Sequence, residues 1–260
     1  MRLVLVLLTL LLFTPSLGAL VVLAALLGVK DRPGGVYDWA QRTWAGLLVK
    51  AAGVRVVLHD AERIHAGEAR VFASNHVSWY DVFVLASVLP QYKFVAKAEL
   101  FDIPIFGRGA RAVGTIPIQR ENRKAAFGAY EEAAQRIRGG SAVVVFPEGT
   151  RGHDYPLRPF KKGPFVLATA AQVPVVPTLV YGTIAVQPRD SWRIRAGTVH
   201  VHFLEPVPTT GLTYADRDRL SRIVWQRMAD GLERLYGIHS PPPPASRAGE
   251  TVAAPTPSIT

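Results

Sequence analysis

From Leu3 to Val29 the chain carries no ionisable side chain and consists mostly of Leu, Val and Ala. A helix that is apolar all round belongs in a large core or in lipid. At about 1.5 Å of rise per residue, this one is long enough to cross roughly 30 Å of hydrocarbon. Pro15 and Gly18 interrupt the run, so a kinked span and a short hairpin dipping into one leaflet are both open. Ser16 to Ala19 would suit a signal-peptide cleavage site, but the apolar run continues beyond it and retention is expected. Arg2 alone precedes the segment, whereas Lys30, Arg32, Arg42 and Lys50 follow it. That bias places the bulk of the chain on the cytoplasmic side, and the expected location is the cytoplasmic face of the cell inner membrane.

The 260 residues, 49% of them hydrophobic, suffice for one further domain of ordinary size. The expected division is a membrane anchor and amphipathic helix over residues 1–52, a folded domain over 53–239, and a disordered Pro-rich tail over 240–260. Within the first part, Val36 to Ala52 mixes Tyr37, Trp39 and Trp44 with Arg42 and Lys50. It reads as a helix whose aromatics lie at the headgroup level or, equally, as a core helix.

Thirty Lys and Arg against twenty Asp and Glu give a net charge of +10. Anionic partners follow: a phospholipid membrane, acidic carrier proteins or phosphorylated substrates. Nucleic acid is not expected, because no nucleic-acid motif is present and the aromatics gather near the apolar segment. The absence of cysteine excludes a disulfide framework, a thiolate nucleophile and cysteine-based zinc sites.

Short β-rich runs occur at Val54–Leu58, Ala69–Ala73, Lys93–Ala96, Val113–Ile118, Ala142–Phe146, Val175–Val180 and Val199–Leu204. Segments of helical spacing separate them, with faces at Phe127, Tyr130, Ala134 and Ile137 and at Leu220, Ile223, Val224, Met228, Leu232 and Leu235. This alternation predicts an α/β fold with a mostly parallel or mixed sheet flanked by helices. The prolines of Val173-Pro174-Val175-Val176-Pro177 argue for an edge strand or a wall.

Chemistry concentrates in two clusters. Asn75-His76-Val77-Ser78-Trp79-Tyr80-Asp81 follows an apolar strand and precedes an apolar helix. Ser78 or Asn75 can cap that helix, and Asp81 can fold back to accept the His76 ring N–H. Such an acid fixes the tautomer and steadies the imidazolium formed when the other nitrogen takes a proton. The second cluster, Phe146-Pro147-Glu148-Gly149-Thr150-Arg151, ends another strand, where α/β folds place their ligands. Glu148 can accept from glycerol or sugar hydroxyls, Arg151 can grip a phosphate, and Gly149 lets the backbone approach closely.

Arg120, ending Gly114 to Arg120, suits a second phosphate, and Phe160-Lys161-Lys162-Gly163 adds basic groups. Ser78 is discounted as a lipase-type nucleophile, since no Gly-x-Ser-x-Gly surrounds it. His200 and His202 share a strand face but have no evident acidic partner, and no metal is expected.

In order and spacing, the His76 to Asp81 block, Gly114 to Arg120, Phe146 to Arg151 and Val173 to Pro177 resemble the four motifs of the glycerolipid acyltransferase family. The likeness runs over about 110 residues, from Val71 to Tyr181. It implies that His76 is the general base and Asp81 its partner, with Arg120 and Arg151 as phosphate ligands. It further implies that Glu148 binds hydroxyls within the Glu148-Gly149-Thr150-Arg151 substrate site, with Lys97 and Lys161 as secondary ligands.

The implied reaction transfers an acyl group from acyl-CoA or acyl carrier protein to the sn-2 hydroxyl of 1-acyl-glycerol-3-phosphate (lysophosphatidic acid). The product would be phosphatidic acid, and no cofactor is implied. The second motif departs from the usual pattern, carrying Gln119 where an acidic residue often stands. Another lysophospholipid or a lyso amino-acid lipid therefore stays open as acceptor, as does an inactive membrane-surface binding protein.

Overall fold

The computed structural model describes residues 1–118 and 140–243, together with Ala133, Ala134 and Ile137. Phe127 and Tyr130 of the expected helix face, and residues 244–260 of the expected tail, lie outside the described residues. Each β-rich run contributes a strand: β1 (Val54–His59), β2 (Val71–Ser74), β3 (Tyr92–Lys97), β4 (Ile116–Ile118), β5 (Ala142–Val145), β6 (Val175–Tyr181) and β7 (Gly197–Phe203). β4 is shorter than expected because Val113 closes helix α4 (Phe106–Ala112) and Gly114 then turns the chain at a φ of 80°.

Among the described residues the strands form one sheet in the order β1-β7-β6-β2-β5-β3-β4. All neighbours are parallel except β6 and β7, so the sheet is mixed, as expected. Its central strands are buried on both faces, which is why they read as continuous apolar runs. Val71, Val143, Val145 and Leu179 pack on one side with helices α5 (Gly163–Ala171) and α7 (Arg217–Tyr236). Phe72, Val144, Val176 and Val180 pack on the other with helices α2 (Val36–Ala51) and α3 (Trp79–Val88).

Helix α1 (Arg2–Leu26) is one helix carrying Pro15 within it, not a hairpin. It lies along the domain. The Arg2 guanidinium donates to the Ala52 carbonyl at 3.1 Å, Trp44 donates to Thr14 at 3.0 Å, and Gly18 lets Ile105 and Gly109 approach. Val6, Val21 and Ala24 are buried, whereas Leu5, Leu8, Leu11, Leu12, Leu23 and Leu26 are exposed. An open, mostly apolar groove of about 420 Å³ separates α1 from Ile103–Phe106. α2 is mainly a core helix: Ala45, Leu48 and Val49 are buried, and among its expected headgroup aromatics only Trp39 is exposed, Tyr37 being buried and Trp44 half-buried.

Two expectations are corrected here. The Val175–Pro177 segment is central, since β6 lies between β7 and β2. Pro177 is tolerated there because the segment leaving β7 bulges. The Pro177 carbonyl accepts from Leu204, while Val175 exchanges both backbone bonds with Val207, so the missing N–H falls at the irregular step. At the start of the expected tail, Ser240 is buried and its hydroxyl accepts the Leu157 N–H at 2.9 Å.

Asn75 does not cap α3. Its fully buried side chain accepts from the Val180 N–H at 2.8 Å and donates to the Val180 carbonyl at 2.9 Å, extending the β2–β6 ladder by one side-chain rung. Asn75→Ala leaves two interior backbone groups unpaired. The expected loss is about 2–4 kcal/mol of unfolding free energy, measured by denaturant titration in detergent; a loss under about 1 kcal/mol would contradict this role.

Candidate functional site

The C-terminal ends of β2, β5 and β6 lie side by side, and the loops leaving them build the site. The loop after β2 enters α3, whose N-cap is Ser78. The Ser78 hydroxyl accepts from the Tyr80 N–H at 3.2 Å and donates to the Gln187 carbonyl at 2.7 Å. Asp81 completes the capping box.

Asp81 is fully buried. Its Oδ2 accepts the Val77 N–H at 2.6 Å and the Ser78 N–H at 2.7 Å, and lies 2.9 Å from His76 Nδ1. Its Oδ1 accepts from the Thr183 hydroxyl at 2.6 Å. A carboxylate so surrounded is an acceptor only, so Nδ1 carries the ring proton and Nε2 is left with a lone pair. The His76 ring stacks on Phe146, with centroids 4.0 Å apart, which fixes its plane.

Glu148 follows β5 and is buried. Its Oε1 accepts the His76 backbone N–H at 2.9 Å, and its Oε2 accepts from Arg158 Nε at 3.0 Å. Each oxygen thus has a partner inside the protein. Glu148 thereby fastens the β5 loop to the backbone of His76. The Gly152 N–H adds a second fastening to the His76 carbonyl at 2.7 Å.

Gly149 has a φ of 81° and closes a turn onto the Phe146 carbonyl; a Cβ there would press on the Lys161 side chain at 3.3 Å. The Thr150 hydroxyl and carbonyl both accept from Arg158. Arg151 is half-buried, with its guanidinium 4.6 Å from the Trp79 ring centroid, and burial lowers its pKa.

The structure therefore gathers His76, Asp81, Glu148, Gly149, Thr150 and Arg151, with exposed Lys161 lying over Gly149. Lys97 pairs with Glu99 at 2.8 Å at the C-terminal end of β3, on the same edge of the sheet. Arg120 and Gln119 lie outside the described residues.

Two functional partners escaped the sequence reading. Thr183 comes from 102 positions away, so no local pattern announces it. It starts the short helix α6 (Thr183–Val186) after Gly182, which has a φ of 103° and whose Cβ would collide with the Thr198 carbonyl. Arg158 stands two residues before the Phe160-Lys161-Lys162 segment, and its place beside that basic run was the available signal.

Burial is the main influence on Glu148 and raises its pKa above the ordinary 4.5, against the opposing bonds from His76 and Arg158. The folded chain then holds this proton more readily than the unfolded chain. The associated stability is full below the unfolded pKa and is lost as pH rises through the folded one. Relative to Glu148→Gln, the wild type should lose unfolding free energy as pH is raised from 4.5, read by denaturant titration at stepped pH. A relative gain over that interval would contradict the shift.

The chain is similar to known acyltransferases. The family model described as Acyltransferase matches residues 55–181, a span that contains His76, Asp81, Glu148 and Arg151 but not Thr183. A putative 1-acyl-sn-glycerol-3-phosphate acyltransferase of Caenorhabditis elegans, acl-2, is 31% identical over 206 residues, covering 78% of this chain and 72% of that protein. The chloroplastic 1-acyl-sn-glycerol-3-phosphate acyltransferase BAT2 of Brassica napus is 36% identical over 53% of this chain and 40% of its own length. The human beta isoform of 1-acyl-sn-glycerol-3-phosphate acyltransferase is 36% identical over 63% and 60%. The chain thus spans about half the length of the latter two relatives. The crystal structure of the 1-acyl-sn-glycerophosphate acyltransferase PlsC from Thermotoga maritima superposes with a TM-score of 0.75 at 26% identity, covering 93% of this chain and 100% of that one.

Proposed function

This chain belongs to the acyltransferase family, and on that premise we propose that it transfers a fatty acyl group from an acyl thioester to the free hydroxyl of 1-acyl-glycerol-3-phosphate. The product is phosphatidic acid, made for phospholipid synthesis at a membrane surface. The observation that carries this reading is the His76–Asp81 pair, with Nδ1 held at 2.9 Å by a buried carboxylate and Nε2 left to accept a proton.

In the proposed reaction Nε2 removes the proton of the acceptor hydroxyl as its oxygen attacks the thioester carbonyl. The tetrahedral intermediate collapses with loss of the sulfur, which leaves readily because a thiolate is far less basic than an alkoxide. His76 returns its proton to that sulfur, so no covalent enzyme intermediate is required. Asp81 steadies the imidazolium between these steps. Arg151, held near the His76 loop, suits the acceptor's phosphate, and Arg120 and Lys161 are the further cations assigned to it; Lys97 has the same charge at the same edge of the sheet. Glu148 acts through the backbone of His76, as a positioning residue.

Coenzyme A and acyl carrier protein are both anionic, which suits a chain of net charge +10 as the donor's docking partner. Delivery of the lysolipid fits the exposed leucines of α1, a helix apolar and long enough to cross a membrane and laid along the domain. We assign the domain to the cytoplasmic face of the inner membrane, where the flanking basic residues favour it.

Detergent-purified protein supplied with labelled acyl-CoA or acyl carrier protein should acylate lysophosphatidic acid, and His76→Ala should lower turnover about 10²–10⁴-fold while still partitioning with vesicles. Transfer only to lysolipids with other headgroups would move the acceptor, free fatty acid alone would indicate a hydrolase, and an active His76→Ala protein would overturn the assignment of the base.

A further inference from the structure

His200 and His202 gain a third imidazole in the fold. β1 and β7 pair in parallel with His59 opposite His202, and His200 lies two residues back on the same face. α7 ends at Tyr236, whose hydroxyl lies 2.6 Å from His202 Nε2. His202 is therefore buried, while His59 and His200 remain half-exposed. The His59 and His202 ring centroids are 4.0 Å apart, and His59 Nε2 lies 3.0 Å from His200 Nδ1. One ligating nitrogen from each ring lies within 4.8 Å of the other two.

We propose that His59, His200 and His202 bind one divalent transition metal of the imidazole-preferring kind, represented by Zn²⁺, and that the metal clamps edge strand β1 to β7. Zinc–nitrogen bonds of about 2.0–2.1 Å in a tetrahedral array set ligand nitrogens about 3.3 Å apart, close to the separation between His59 and His200. A metal replaces the single proton those two nitrogens share. Nε2 of His202 is engaged by Tyr236, so the proposed site takes Nδ1 as its ligand and leaves the tyrosine oxygen to receive the far ring N–H as an orienting partner.

The rings are stacked, and the broad χ2 torsion of histidine lets them turn so that one nitrogen of each converges. Three nitrogens without a carboxylate or thiolate disfavour Mg²⁺, Ca²⁺ and Cu⁺. A fourth position is left for water. The clamp acts on the strand that follows α2, so it ties the α1–α2 helices more firmly to the sheet.

The test is calorimetric titration of Zn²⁺ into tag-free, chelator-stripped full-length protein in detergent, with thermal unfolding in parallel. One Zn²⁺ per chain and a rise in Tm are expected. His59→Gln and His200→Gln should each weaken binding at least tenfold, while His153→Gln, an exposed histidine elsewhere, should not. Absence of one-to-one binding overturns the proposal, as does binding that both cluster variants leave intact. If a variant unfolds at a different temperature in chelator, the wild-type stoichiometry and the other variant decide.

Discussion

Everything at the site turns on one buried carboxylate. Asp81 has no solvent to share its charge with, so its two oxygens are satisfied by the Val77 and Ser78 amides, the His76 ring and the Thr183 hydroxyl. Removing any of these leaves a buried acceptor short of a donor, which costs about 1–3 kcal/mol. The arrangement therefore fixes more than a rotamer. It sets the path of the chain into α3, joins that helix to the segment after β6, and leaves the His76 ring a single orientation. Glu148 does the same from below by holding the His76 backbone N–H and tying it to Arg158.

Legibility followed sequence separation. His76 and Asp81 are five positions apart, so their pairing was readable from one helix start, and the strands were readable because two buried faces make continuous apolar runs. The partners that complete the site join distant segments: Glu148 lies 72 positions from His76, and Thr183 lies 102 from Asp81. Their residue types were visible in the sequence but their orientation was not. Glu148 reads from the sequence as a substrate ligand, and its bond to the His76 backbone is added only by the fold. Pro177 shows the same limit, since the bulge at Leu204–Val207 that accommodates it is formed by a different strand.

The apolar N-terminus was unmistakable in composition, and the fold adds how it is held. Arg2, the first basic side chain, reaches back to the carbonyl of Ala52, and Gly18 allows α1 to close on Gly109. α1 thus shares its buried side with the domain and turns its leucines outward. In the proposed function this couples membrane contact to the sheet edge where His76 stands, so that an acceptor arriving in the lipid surface need not leave it.

The central claim is that Asp81 holds the His76 proton on Nδ1 and keeps Nε2 as the base. The direct measurement is the ¹⁵N spectrum of the two His76 ring nitrogens in the folded protein, assigned by loss of signal in a His76 variant. The account predicts a protonated Nδ1 and an unprotonated Nε2 in the neutral ring, with the preference weakened when Asp81 is replaced by Asn. A neutral ring protonated on Nε2, with Asp81 intact, would contradict it.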